Sequence, residues 1–224
     1  VNRRILPRAI KRWTIDLVAV FFCLDALFGE RRDRSILFWK SLPVSDLKVV
    51  LSKMTIPVVV IPVVCFLVTL ATQAVLILIG ALLMWSGGMP AMSLRDMPLV
   101  QMSGMLFVYL FALQGIWFAP MYAWLLLVAA WAKRAPLLWA ILPPAGIAIV
   151  ERIAYRTSYF AEMLRYRFKG GFGAGFDLSQ GHVYGMVSVN LGQFFMSPGL
   201  WGGLFVAGVF LAGAVRLRRY RGPI

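Results

Sequence analysis

Charge is scarce in this sequence. Only 14% of its 224 residues are Asp, Glu, Lys or Arg, where a soluble domain carries about a quarter. With 61% hydrophobic residues and a mean hydropathy of +0.80, a water-soluble fold of this size would leave much apolar surface wet. Lipid is therefore the expected solvent for most of the chain. Histidine occurs once, at His182, with no second histidine and no nearby cysteine to make a metal site. The lone histidine also leaves an intramembrane serine protease without a base facing a serine in the lipid. The two cysteines, Cys23 and Cys65, lie inside apolar runs and read as small buried hydrophobes, not as a disulfide framework. No Gly-x-x-x-x-Gly-Lys-Ser/Thr run is present, so ATP hydrolysis by this chain is not expected. The run Gly170-Gly171-Phe172-Gly173-Ala174-Gly175 follows no strand and reads as a flexible loop. Repeats of solenoid length and inverted-repeat symmetry are both missing. No small-x-small cleavage site follows the basic start, so no cleavable signal peptide is expected.

What fills the chain is apolar runs. A hydrocarbon core of about 30 Å takes about 20 apolar residues as helix. Five stretches are candidate spans: Trp13–Gly29, Met54–Trp85, Gly104–Ala132, Pro136–Ala154 and Pro198–Val215. The first is short and carries Asp16 and Asp25. Barrel strands need only about 10 residues and alternate in polarity, so the expected fold class is all-α, a polytopic transmembrane helical bundle forming one domain. The remaining charge is lopsided, 23 Lys and Arg against 9 Asp and Glu. The basic residues gather between the apolar runs, which favours the positive-inside bias over nucleic-acid binding. Residues 30–53, the turn Lys133-Arg134 and the tail 216–224 with Arg216, Arg218, Arg219 and Arg221 fall on one side, expected to be cytoplasmic. The loop 155–197 is then external. Five spans would put the N-terminus outside, yet residues 1–12 hold Arg3, Arg4, Arg8, Lys11 and Arg12. A re-entrant first segment would resolve this. The favoured expectation is a chain lacking one span and its external loop.

The most informative stretch is 30–53. Glu30, Arg31, Arg32, Asp33 and Arg34 leave the membrane as a charged exit. Ser35 to Lys40, with Phe38 and Trp39, is amphipathic and suited to an interface. Ser41-Leu42-Pro43 breaks that helix, because proline disfavours helical geometry just before itself. After Val44, Ser45 or Asp46 can cap a second helix carrying Lys48 and Lys53. A short helix, a turn and another helix suit docking to a soluble partner, apolar side chains filling a groove and charges fixing register.

This stretch resembles the permeases of ABC-2 type ABC transporters. Members carry an acidic-basic exit after their second span, then an SLPVS turn and a helix ending in Ser-Lys or Gly-Lys. Here those positions are Glu30-Arg31-Arg32, Ser41-Leu42-Pro43-Val44-Ser45 and Ser52-Lys53. The segment Asp33-Arg34-Ser35-Ile36-Leu37-Phe38-Trp39-Lys40-Ser41 looks like a bacterial subgroup. The resemblance implies a coupling helix received by a separate ATP-binding subunit, six spans per permease, and a second permease copy or homologue beside it. It implies a transport subunit of the bacterial inner membrane, an exporter, with no cofactor of its own. ATP and Mg would sit on the partner. A stand-alone secondary transporter or channel is the alternative reading.

Other polar residues stay open at this level. Glu151, next to Arg152 near the end of the fourth segment, could form an interfacial salt bridge, line a substrate path, or hold a structural turn; the last is preferred. Gln73, Gln114 and Asn190 could line a path or bond neighbouring helices. Pro57, Pro62, Pro120 and Pro143-Pro144 are expected to kink their helices.

Overall fold

The structure, a computed structural model, describes residues 6–41, 43–85, 99–168, 176–177, 188–189 and 191–220. Arg3, Arg4, Leu42, Lys169, the glycine run 170–175, His182, Asn190 and Arg221 lie outside them, as do the side chains of Asp16, Trp39 and Lys40. The described chain is helical almost throughout. Helix α1 spans Leu6–Arg32, α2 Ser35–Ser41 and α3 Asp46–Thr55. A π-helical turn, Ile56–Val60, joins α3 to α4, Ile61–Trp85. Helix α5, Leu99–Tyr109, passes through a π-helical stretch, Leu110–Trp117, into α6, Ala119–Trp131. Then come α7 (Pro136–Ala154), α8 (Tyr159–Phe168), α9 (Leu191–Met196) and α10 (Pro198–Tyr220). Among the described residues, strand pairing is confined to Phe176–Asp177 against Ser188–Val189, antiparallel. Among the described residues, three non-glycine residues with positive φ reverse the chain: Arg34 after α1, Ala135 after α6 and Arg156 after α7.

Among the described residues, three helices are long and apolar enough to cross a membrane: Asp46–Leu82, Pro136–Ala154 and Pro198–Tyr220. Ser103–Trp117 and Ala119–Trp131, bent by 43°, make a fourth if counted together. Five were expected. The missing one is the first, which is helical but too charged. Asp16 and Asp25 inside it, with Arg12, Glu30 and Arg31 close by, interrupt every stretch of spanning length. The third expected span is not one straight rod, because Phe118 breaks it and Pro120 begins the next helix.

The core is built around α6. Its Ala119, Tyr122, Ala123, Leu125, Leu126, Val128, Ala129 and Ala130 are buried. Helix α1 covers it through Ala19, Cys23, Leu24 and Leu27, and α10 through Leu200, Ala207 and Ala214. Small residues recur on all three contacting faces and let the helix axes approach, which is how helices associate where lipid removes the hydrophobic drive. Helices α4 and α7 instead turn Leu67, Leu76, Ile141 and Val150 outward. Apolar faces this extensive belong against hydrocarbon.

The two π-helical stretches meet. Pro57 and Pro62 have no N–H to give to residues 53 and 58, so the ladder there shifts and the Ile61 N–H bonds the Ile56 carbonyl. The Val58 carbonyl, freed by Pro62, faces Gly115 in the other stretch. A Cβ on Gly115 would lie 2.7 Å from that oxygen, so glycine is required at the crossing.

Candidate coupling elbow and its ionic anchor

The elbow forms as the residues dictate. The Asp33 N–H bonds the Gly29 carbonyl (2.8 Å), Arg34 turns the chain at φ 58°, and α2 begins at Ser35. The Ser41 hydroxyl donates to the Phe38 carbonyl (2.7 Å) where α2 ends. After Pro43, Ser45 has extended backbone and its side chain accepts the Lys48 N–H at 3.4 Å, capping α3. Arg32 and Asp33 pair with each other in solvent at 3.1 Å, a contact of little energetic weight. Leu37, Phe38, Val44, Leu47 and Leu51 are exposed apolar side chains across α2, the turn and α3. Pro43, Ser45 and Ser41 are exposed with them, and Ser35 is partly covered.

Beneath this surface lies an ionic anchor. Glu30 at the end of α1 accepts from Lys53 of α3 (2.8 Å) and from Arg218 of α10. Arg218 also reaches Asp46, at the start of α3, with its Nε 3.1 Å from Oδ1. The Arg218 side chain is 3% exposed, Glu30 11% and Asp46 27%, so the group is largely withdrawn from water. Two carboxylates face two cations. That balance is what a poorly solvated cluster needs, since a lone charge there costs several kcal/mol (about 3–5 when one partner is removed). Lys53 donates as well to the Ala26 carbonyl. Buried Arg31 donates to the carbonyls of Ala130 (2.9 Å) and Ala132 (3.2 Å), capping the negative end of α6. Four helices are thereby joined at one level, and α3 continues into the span Asp46–Leu82.

Of the residues read from sequence as a partner surface, the structure divides two groups. Arg32, Asp33, Arg34, Phe38, Ser41, Pro43, Val44 and Ser45 are outward. Glu30, Arg31 and Lys53 are turned inward, where they bond to neighbouring helices. Asp46 and Arg218 complete the anchor and were not foreseen as site residues. Arg218 is 172 positions from Asp46, and an arginine in a basic tail carries no local sign that it is buried.

The opposite end of the bundle has its own polar fixture. The Glu151 carboxylate accepts the N–H groups of Tyr159 (2.9 Å) and Phe160 (3.0 Å) and the Thr157 hydroxyl (3.1 Å), capping α8 from the end of α7. Arg167 of α8 lies over the Trp117 ring, 4.5 Å from its centroid, and donates to the Gly199 carbonyl at 2.7 Å. Trp117 Nε1 donates back to the Arg167 carbonyl at 3.0 Å. Burial lowers the Arg167 pKa from its ordinary value. The glutamines bond helices together: Ser103 donates to Gln73 between α5 and α4 (3.2 Å), and Gln114 donates to the Tyr122 hydroxyl across the bend (3.1 Å).

Compared with protein-family models, curated proteins and solved structures, the chain matches none.

Proposed function

We propose that this chain is the membrane-spanning permease subunit of an ABC-2 type transporter, an exporter of the bacterial inner membrane. The observation that carries the reading is the elbow: an exposed apolar surface fixed by buried charge to the base of the bundle. A surface hinged loosely to the spans would absorb a push. One tied through Glu30, Lys53, Asp46 and Arg218 passes it to α1, α10 and the span beginning at Asp46. An ATP-binding subunit docked on Leu37, Phe38 and Val44 would supply that push. ATP and Mg would remain on the partner, and this chain would contribute force transmission without chemistry. A second permease copy or homologue would complete the pathway, and the switch would be between two packed arrangements of the spans.

The test is co-purification. Tagged chain extracted from its native membranes should bring an ATP-binding-cassette subunit with it. Phe38→Glu should insert normally and lose that subunit, because a charge would enter a desolvated contact. Unchanged capture by Phe38→Glu, or capture of no nucleotide-hydrolysing protein by the parent chain, would remove the basis of the proposal.

A further inference from the structure

The turn between α6 and α7 carries a second recognition surface, independent of the elbow. Trp131 closes α6 and Trp139 lies near the start of α7. Their rings meet edge to face, with centroids 4.7 Å apart at 74°. Each keeps more than a third of its surface open: Trp131 is 38% exposed and Trp139 37%. With Ala132 and Lys133 they line an open cleft of about 210 Å³. Ala135 reverses the chain there at φ 47°, which leaves Lys133 and Arg134 exposed at the tip. Among the described residues neither makes an ion pair. Arg31 adds a third positive charge from below, on the Ala132 carbonyl at 3.2 Å. The negative end of α6 is thus already neutralised, and the field at the cleft is positive. Leu137 and Leu138, exposed in the first turn of a helix apolar enough to span, set the depth. In a chain lying in a membrane, the cleft would sit where hydrocarbon gives way to head groups.

We propose that this cleft binds the phosphate head group of an anionic glycerophospholipid. Lys133 and Arg134 donate to the phosphate oxygens, and the indoles cover the glycerol and the first acyl carbons, the level at which tryptophan partitions. A zwitterionic lipid would bring its own ammonium into the positive field, so the site prefers net negative charge. The proposal needs the chain to lie in a membrane and does not depend on the transport reading.

Native mass spectrometry of the detergent-purified full chain tests it, with phosphatidylglycerol and phosphatidylcholine of matched acyl chains as probes. Phosphatidylglycerol should bind at least fivefold more tightly. Lys133→Gln and Arg134→Gln should each weaken it about fivefold, the worth of one basic residue near a lipid surface. Trp139→Leu should weaken it with charge unchanged. Removing twice that charge elsewhere, by Arg216→Gln with Arg219→Gln, should leave it in place. Equal binding of the two lipids would overturn the proposal. So would an equal loss in the Arg216/Arg219 variant, which would mean diffuse attraction, or displacement by millimolar inorganic phosphate, which would mean a site for the free ion.

Discussion

Replacing Arg218 by methionine removes one cation from the anchor while keeping its apolar stem. Glu30 then retains Lys53, whereas Asp46 faces no cation in the group. Taking one partner from a buried pair costs about 3–5 kcal/mol. Asp46 keeps some contact with water, at 27% exposure, so the loss belongs near the low end, ~3 kcal/mol. For a chain of this size that is a fall of about 6–12 °C in the thermal midpoint. The decisive companion is Arg218→Met with Asp46→Asn. The cluster then holds one carboxylate and one ammonium, balanced again, and the double variant should recover part of the loss although it carries one more substitution. Thermal unfolding in a single detergent reads both. A midpoint within about 2 °C of the parent for Arg218→Met, below the ~1 kcal/mol that shift represents, would show that the group is solvated. A double variant less stable than the single would show that charge balance is not what holds it.

Gly115→Ala should destabilise by about 1–3 kcal/mol, because its methyl would press on the Val58 carbonyl and neither backbone can easily yield. Gly146→Ala, with nothing within 4 Å of the added carbon, should not, and the same thermal assay compares them. Gly203→Ala places its methyl 1.6 Å from the Arg167 guanidinium and should expel it from Trp117. Arg167→Ala should then cost nothing further in that background, which a double-mutant cycle on stability reads directly. Glu151→Ala strips the cap from α8 and should cost about 1–2 kcal/mol. Hydrogen exchange should show this as faster exchange at the Tyr159 and Phe160 amides, with α6 unchanged.

The helical class and the positions of the apolar segments were legible because run length and polarity survive without knowledge of packing. Span Pro136–Ala154 has the bounds read from sequence. The elbow was legible too, since Pro43 and Ser45 act through local backbone geometry. What could not be read was which charges are covered. Glu30 and Arg32 are two residues apart on one charged exit, yet the first is an anchor and the second an exposed surface group. Helix rotation decides this, and rotation is set by packing against α3, α6 and α10, not by neighbours in sequence. The first segment departs from the other four for a related reason. Its apolar length approaches that of a span, but Asp25 is exposed and Glu30 pairs with Lys53 and Arg218, so charge holds its end. The bend at Phe118 was foreshadowed by Pro120. The π-helical stretch upstream of it was not; there Gly115 meets Val58, from a segment distant in sequence.

The role assigned to the elbow is tested most directly by photo-cross-linking from position 38, with Phe38→Cys carrying a benzophenone in native membranes. The outward side chain of Phe38 should trap an ATP-binding-cassette subunit, and the same probe at Phe205, exposed on a span, should trap lipid or another membrane chain instead. If position 38 yields only lipid adducts while Phe205 behaves as expected, the elbow lies on the membrane surface and transmits no force from a motor.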